Sequence, residues 1–187
     1  MSDRLKDKIV ILTGASGLIG KVTRTHLLLN GAKVVSVDKN ISTDPESLSY
    51  NYDITNEEEI DNLLAGVMTT YGRIDGLVNL AYPRTKDWGL KFEDIPLDSW
   101  RKNVDMQLNS VFYICQKVLE IMRKQQKGAI VNIASIYGVV GNDFTLYEEH
   151  GGTSPAAYSA IKGGIINFSR YLASYYGKYN IRVNCVS

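Results

Sequence analysis

Tyr158 and Lys162 stand four residues apart within a helical pattern, so both side chains project from one face. A free tyrosine gives up its proton only near about pH 10, but an ammonium beside it favours the phenolate. Such a pair can act as general acid toward a ketone oxygen and as general base toward an alcohol. Tyr-x-x-x-Lys is common by chance, so its context decides. Ser135 directly follows an apolar run, residues 129–134, where a strand would end. Its hydroxyl there can steady a substrate oxygen, although an ordinary turn serine would occupy the same place.

A second cluster lies near the N-terminus, in Thr13-Gly14-Ala15-Ser16-Gly17-Leu18-Ile19-Gly20. It falls between a strand pattern and a helix pattern. Gly14 would permit a tight turn, Gly17 would admit a pyrophosphate close to the backbone, and Gly20 would let helix pack on strand. With Ser16, Leu18 and Ile19 between them, the first helical N–H groups would face the phosphates. Asp38 closes the next apolar run, 18 residues past Gly20. A carboxylate there accepts both ribose hydroxyls of NAD and repels a 2′-phosphate. No arginine sits in the turn, although Lys39 adjoins Asp38. NAD is expected over NADP.

The elements that must position these residues alternate. Strand patterns cover residues 8–13, 33–38, 49–53, 76–79, 129–134 and 181–186. Helical patterns cover 18–30, capped by Gly31, and 55–71, where Thr55 and Glu58 form a capping-box arrangement. Residues 97–126 form a long helical region, continuous or broken near its start. Ser154 and Pro155 look like N-cap and first residue of a helix reaching about Gly177. This alternation predicts an α/β fold, a doubly wound parallel sheet between two helical layers, Rossmann-like, in one domain over 1–187.

Composition narrows the function classes. Lys plus Arg, 21, nearly balances Asp plus Glu, 20, which gives no reason to expect nucleic acid or an anionic membrane as partner. No apolar run approaches a membrane span. Cys115 and Cys185 lack metal-ligand spacing and read as reduced core thiols, and a cytoplasmic protein is expected. His26 and His150 have no partner spacing for a metal. Tyr171, Tyr175, Tyr176 and Tyr179 recur at helical spacing, which points to packing or a subunit contact.

Taken together these segments resemble the short-chain dehydrogenase/reductases over the whole chain. The glycine turn, Asp53-Ile54, Val78-Asn79-Leu80-Ala81, Ser135 and Tyr158-Ser-Ala-Ile-Lys162 occur in that family's order. The resemblance implies sheet order 3-2-1-4-5-6-7 and a nicotinamide cofactor. By it Asp53 and Ile54 would meet adenine, Asn79 and Ala81 would lie along the cofactor, and Lys162 would bond the nicotinamide ribose. Tyr158 would exchange the proton while hydride passes between nicotinamide and substrate. A homodimer or homotetramer is implied as well.

Four features depart from the family. The spacing Gly-x-x-Gly-x-x-Gly resembles the extended branch, which includes sugar-nucleotide epimerases and dehydratases, whereas the rest of the chain favours the single-domain branch. Gln107 stands where the family often has a proton-relaying asparagine, and Asn109 lies about 200° around a helix from it. Ser135 and Tyr158 are 23 residues apart, longer than usual. The extra residues include Tyr147, Glu148, Glu149 and His150, and would border the substrate or form a solvated loop. The region from Tyr137 to Gly164 resembles members found with sialic-acid-like sugar and surface-polysaccharide pathways, which suggests a polar, sugar-like substrate. Lastly, family members continue past the point matching Ser187 with a substrate loop, a helix and a seventh strand, so a C-terminally truncated member with that strand missing is expected.

Three functions stay open: hydride transfer between NAD(H) and a secondary alcohol or ketone, epimerisation or dehydration of an activated sugar, and NAD sensing without catalysis. The full set of Ser135, Tyr158 and Lys162 weighs against the last.

Overall fold

Five consecutive buried residues make β1, Ile9–Thr13, and that burial on both faces is what a central parallel strand requires. A computed structural model describes residues 3–148 and 152–187. β1 pairs with β2, Lys33–Val37, on one side and with β4, Gly76–Asn79, on the other. β3, Ser49–Tyr50, extends the sheet beyond β2. β5, Gly128–Ile133, and β6, Ile181–Val186, extend it beyond β4. All these pairings are parallel, and the order is β3-β2-β1-β4-β5-β6. Chain direction across the sheet therefore reverses between β1 and β4, and a crevice opens at their carboxyl ends.

Alternate residues of the strands feed opposite faces. Val10, Leu12 and Val34 pack beneath Leu27 of α1, Leu18–Leu29. Ile9, Ile11, Leu77 and Ile130 meet Ile60 and Leu64 of α2, Glu57–Tyr71, and Ile114 and Leu119 of α4, Ser110–Gln125. The last long helix, α6, Ala156–Tyr176, which follows the short α5, Thr145–Glu148, joins this second face through Leu172. Gly31 adopts φ +86° just after α1, as its place beyond the helix predicts.

The ends of β1, β2 and β5 fall within one residue of the sequence pattern, and three other boundaries differ because of local side-chain chemistry. The cap of α2 is Asn56, one residue later than Thr55: its side chain accepts from Glu58 N and Glu59 N at 3.1 and 3.4 Å. Glu59 rather than Glu58 reaches back, accepting from Asp53 N at 2.6 Å. Thr55 is diverted because its hydroxyl donates to Asp53 at 2.8 Å, and the same turn ends β3 early. Pro155, not Ser154, is the N-cap position of α6. Ser154 is drawn instead into a hydrogen bond from Asn142.

The long helical region is three pieces: α3, Leu97–Val104, a π-helical segment, Asp105–Asn109, and then α4. Between the layers runs a buried polar chain. Asn79 Nδ2 donates to Asn132 Oδ1 at 2.8 Å, and Asn132 Nδ2 donates to Ser169 Oγ at 2.9 Å. It ties β4, β5 and α6 behind the crevice. Asn132→Ala would leave Asn79 Nδ2 with only the Cys115 sulfur at 3.5 Å and would take from Ser169 Oγ the donor it accepts from, and should lower the unfolding free energy by about 2 kcal/mol. A urea midpoint unchanged from wild type would show that the chain of bonds adds nothing to stability.

Candidate active site

The crevice floor begins at Gly14, whose φ of +67° favours a residue without a Cβ. A Cβ there would also lie 2.7 Å from Ala81 N. At Gly20 a Cβ would run into the Gly14 carbonyl, so the first turn of α1 sits hard on the strand turn. Its opening N–H groups are thereby presented to a groove of about 760 Å³, lined by Gly14, Ser16, Gly17, Leu18, Ile19 and Gly20. This is the arrangement in which a helix N-terminus binds phosphate.

One end of that groove is Asp38. Its carboxylate accepts from Ser16 N at 3.0 Å and from Asn40 N at 2.9 Å. Burial pushes its pKa up, but the hydrogen bonds from Ser16 and Asn40 outweigh burial and hold it below the usual aspartate value. An ionised acid is thus fixed to the glycine turn itself. Asp53 and Ile54 form the adjoining wall. Ala81 lies at the other end, where Thr13 Oγ1 accepts from Leu80 N and Ala81 N at 3.2 and 3.3 Å.

A second cavity, about 470 Å³, brings Ser135, Tyr158 and Lys162 together. Ile19, Leu80, Ala81 and Tyr82 border both spaces, so the groove runs on into this cavity. Ser135 comes from the end of β5, where its Oγ accepts from Tyr137 N at 3.2 Å. Tyr158 and Lys162 come from the first turns of α6. Lys162 Nζ donates to Ile133 O at 2.7 Å and lies 5.6 Å from the ring centroid of Tyr158. Burial lowers the Lys162 pKa from 10.5 to about 8.

Asn79 borders this cavity too, although its amide nitrogen is committed to Asn132. Gln107 borders neither space. It lies buried in the π-helical segment with both side-chain polar atoms unpartnered among the described residues. Buried polar groups are rarely left so, and π segments recur at functional positions. Asn109 is exposed and donates to Asp105 at 2.9 Å, turned away as the helical angle predicts.

The insertion reaches the site. Tyr147 lines the second cavity, and its phenol meets that of Tyr137. Glu149 and His150 lie outside the described residues. Tyr82 and Trp88 were not legible as site residues, because they sit in an irregular segment after β4. The one signal was an aromatic residue directly following Ala81. Among the described residues no cluster of three or more His, Cys, Asp or Glu side chains offers a metal site, and Cys115 and Cys185 are free. Tyr171, Tyr175, Tyr176 and Tyr179 form a run of ring contacts along the end of α6, apart from both cavities.

A groove that starts at a helix N-terminus and an acid, and ends at a tyrosine, a lysine and a serine, defines a dinucleotide-dependent oxidoreductase. The short chain dehydrogenase family matches residues 8–187. A short chain dehydrogenase from Leptospira borgpetersenii, solved with bound NAD+, is 34% identical and superposes with a TM-score of 0.87 over 99% of this chain and 72% of its own. An NAD+-bound xylitol dehydrogenase is 29% identical, with TM-score 0.82 over 98% of this chain and 70% of its own. Post-translational flagellin modification protein A of Campylobacter coli is 31% identical over 98% of this chain and 77% of its length. The chain belongs to the short-chain dehydrogenase/reductase family and is an NAD-dependent oxidoreductase.

The lysine carries a stability cost with a defined pH range. Its folded pKa of about 8 lies below the unfolded value of 10.5, so the unfolded chain binds more protons between them and stability rises with pH there. Below pH 8 the cost is present in full. Lys162→Met should therefore stabilise the fold at pH 7 by roughly 3 kcal/mol, an advantage that shrinks as pH climbs toward that of a free lysine. Thermal melts of both proteins across this range test it, and a constant difference would contradict it.

Proposed function

We propose that this enzyme moves a hydride between NAD(H) and a secondary alcohol or ketone of a polyhydroxylated, sugar-like molecule. The observation that carries the reading is the meeting of Ser135, Tyr158 and Lys162 in a cavity continuous with the groove that begins at Asp38. The residues fit the dinucleotide: a helix N-terminus freed of side chains at Gly14 and Gly20, with an ionised acid beside it. When bound, NAD supplies a nicotinamide ring that accepts hydride, and NADH returns it.

The chain's own residues do the rest. Backbone of the turn from Gly14 through Ser16, Gly17, Leu18 and Ile19 to Gly20 holds the pyrophosphate. Asp38 takes the adenosine ribose hydroxyls and rejects a 2′-phosphate, and Asp53 and Ile54 flank the adenine. Asn79 and Ala81 border the nicotinamide half, and Lys162 bonds its ribose. Ser135 holds the substrate oxygen while Tyr158 takes the alcohol proton during oxidation and gives it back during reduction. The ammonium of Lys162 lies 5.6 Å from the ring centroid of Tyr158, beside the phenol that exchanges the proton. Gln107, with its amide unpartnered, takes the asparagine's place in relaying protons through water toward Lys162.

The sugar-like substrate rests on the paired phenols of Tyr137 and Tyr147, which offer hydroxyl partners, and on the aromatic face of Tyr82 across the cavity. Similarity to a dehydrogenase of xylitol, a polyol, agrees with it. The spacing of the glycines favours a second reading, epimerisation or dehydration of an activated sugar. Tightly retained NAD with no net change in redox state would mark that reaction.

This reading takes residues 1–187 as one dinucleotide-binding domain, acting in the cytoplasm with both thiols reduced. It also takes the protein as a homodimer or homotetramer joined through α4 and α6. There Phe112 packs with Phe168, and Tyr171 and Tyr175 stack while largely exposed.

Fluorescence titration should show NADH bound well ahead of NADPH, with the preference lost in Asp38→Ala. Equal affinity for both in the wild type would overturn the role given to Asp38. Tyr158→Phe should lower kcat by about 100-fold or more while NADH affinity stays within a few-fold. A variant with full rate would remove Tyr158 from the mechanism.

A further inference from the structure

Tyr82 occupies the point where the groove and the second cavity join. Its ring meets that of Tyr158 edge-on, with centroids 5.8 Å apart and planes at 87°. On another side it meets Trp88 edge-on at 5.7 Å and 85°. Trp88 in turn meets Tyr158 at 6.5 Å and 85°, and packs against the apolar cluster that includes Ala157 and Ile161 of α6. The three rings therefore lock one another in place, with α6 as their common support.

Lys162 projects into this arrangement. Its ammonium lies 5.6 Å from the Tyr82 centroid and 5.6 Å from that of Tyr158. Ile133 O accepts from it on the strand side. Lys162 is only 8% exposed. An ammonium has three donors, and among the described residues this one finds a single acceptor and two aromatic faces. Tyr82 adds no competing base, because burial, with Tyr158 alongside, pushes its own phenol up to about 12.

Resting on the function proposed above, we propose that Tyr82, held edge-on by Trp88, is a positioning residue for the Tyr158–Lys162 pair. Its ring covers the ammonium, keeps water from it and fixes it against Tyr158. The titratable groups around Lys162 are Tyr158 on its own helix, Tyr82 after β4, and Tyr137 and Tyr147 beyond β5. Arg84 stands over the Tyr82 ring at 5.7 Å, and Asp143 lies near Tyr137. From the α3–α4 region Val104 and Leu108 pack against α6 with apolar contacts, and Asp105 is exposed and tied to Asn109. Burial alone accounts for the lowered pKa of Lys162.

The test is NADH affinity, followed by fluorescence between pH 6.5 and 10.5, which needs no substrate. Affinity should weaken above pH 8, as Lys162 loses the charge with which it bonds the ribose, and Lys162→Met should lack that limb. In Tyr82→Ala water reaches the ammonium, so the limb should move up by about one pH unit. Tyr82→Phe keeps the ring and should leave the limb in place. Trp88→Ala, which removes the prop and leaves Tyr82, should shift it the same way by less, and serves if the alanine variant at Tyr82 folds poorly. An unmoved limb in both alanine variants would overturn the role of Tyr82, as would a shift in Tyr82→Phe equal to that in Tyr82→Ala. A limb that persists in Lys162→Met would instead overturn the assignment of Lys162 to the cofactor.

Discussion

The reversal of strand order between β1 and β4 is the constraint on which the site depends. Parallel strands must be joined by crossovers, and a crossover from β1 to β2 runs one way across the sheet while the chain later returns to β4 on the other side. The carboxyl ends of β1 and β4 are consequently left open to a ligand. The glycine turn leaves β1 there, Ala81 and Tyr82 leave β4 beside it, and Ser135 leaves β5 one strand further on. Chemistry-bearing residues far apart in sequence converge because each follows the end of a strand at the same edge. The buried bonds linking Asn79, Asn132 and Ser169 hold that edge in register from behind.

Against this ordered edge the protein places one costly group. An ammonium removed from water loses more than a single carbonyl returns, and the lowered pKa of Lys162 records the deficit. A sheet stabilised for its own sake would have an apolar residue at that position. The cost makes sense once the ammonium is required beside a phenol, and it explains why so many aromatic rings gather there. Tyr82, Trp88 and Tyr158 gather around the ammonium without supplying a carboxylate, so the positive charge stays beside the phenol rather than being neutralised by an ion pair.

What the sequence disclosed follows the periodicity of its elements. Buried parallel strands read as apolar runs, so β1, β2, β4, β5 and β6 were legible, and with them the glycine turn, Asp38, Ser135, Tyr158 and Lys162. Errors fell where local side-chain chemistry competes with pattern. Asp53 captures Thr55 and so moves the cap of α2 to Asn56, and Asn142 captures Ser154 and so moves the start of α6 by one residue. Of the π-helical segment around Gln107, only a break near the start of the long helical region was readable. An extra residue in a turn leaves both flanking helices in good pattern and shows only as a slip of phase between them.

Most of the aromatic wall was illegible for a different reason. Tyr82 and Trp88 lie in the irregular chain after β4, and Tyr137 lies just past β5, where no period marks a facing residue; of the long excursion before α6, the insertion with Tyr147 was readable as a border of the substrate through its length. Yet both segments are pinned at defined points. Asn103 holds Thr85 N at 3.1 Å, and Asn142 links Ser154 with Ser159, whose hydroxyl donates to it at 2.8 Å. The division has a physical logic. Cofactor and proton chemistry need groups fixed to within a fraction of an ångström, and those groups sit on strand ends and helix turns. Substrate recognition sits on loops that can change in length and composition without disturbing the sheet. Residues on such loops carry no period, so a sequence pattern marks them least, and the ring of Tyr82 is where the two cavities touch.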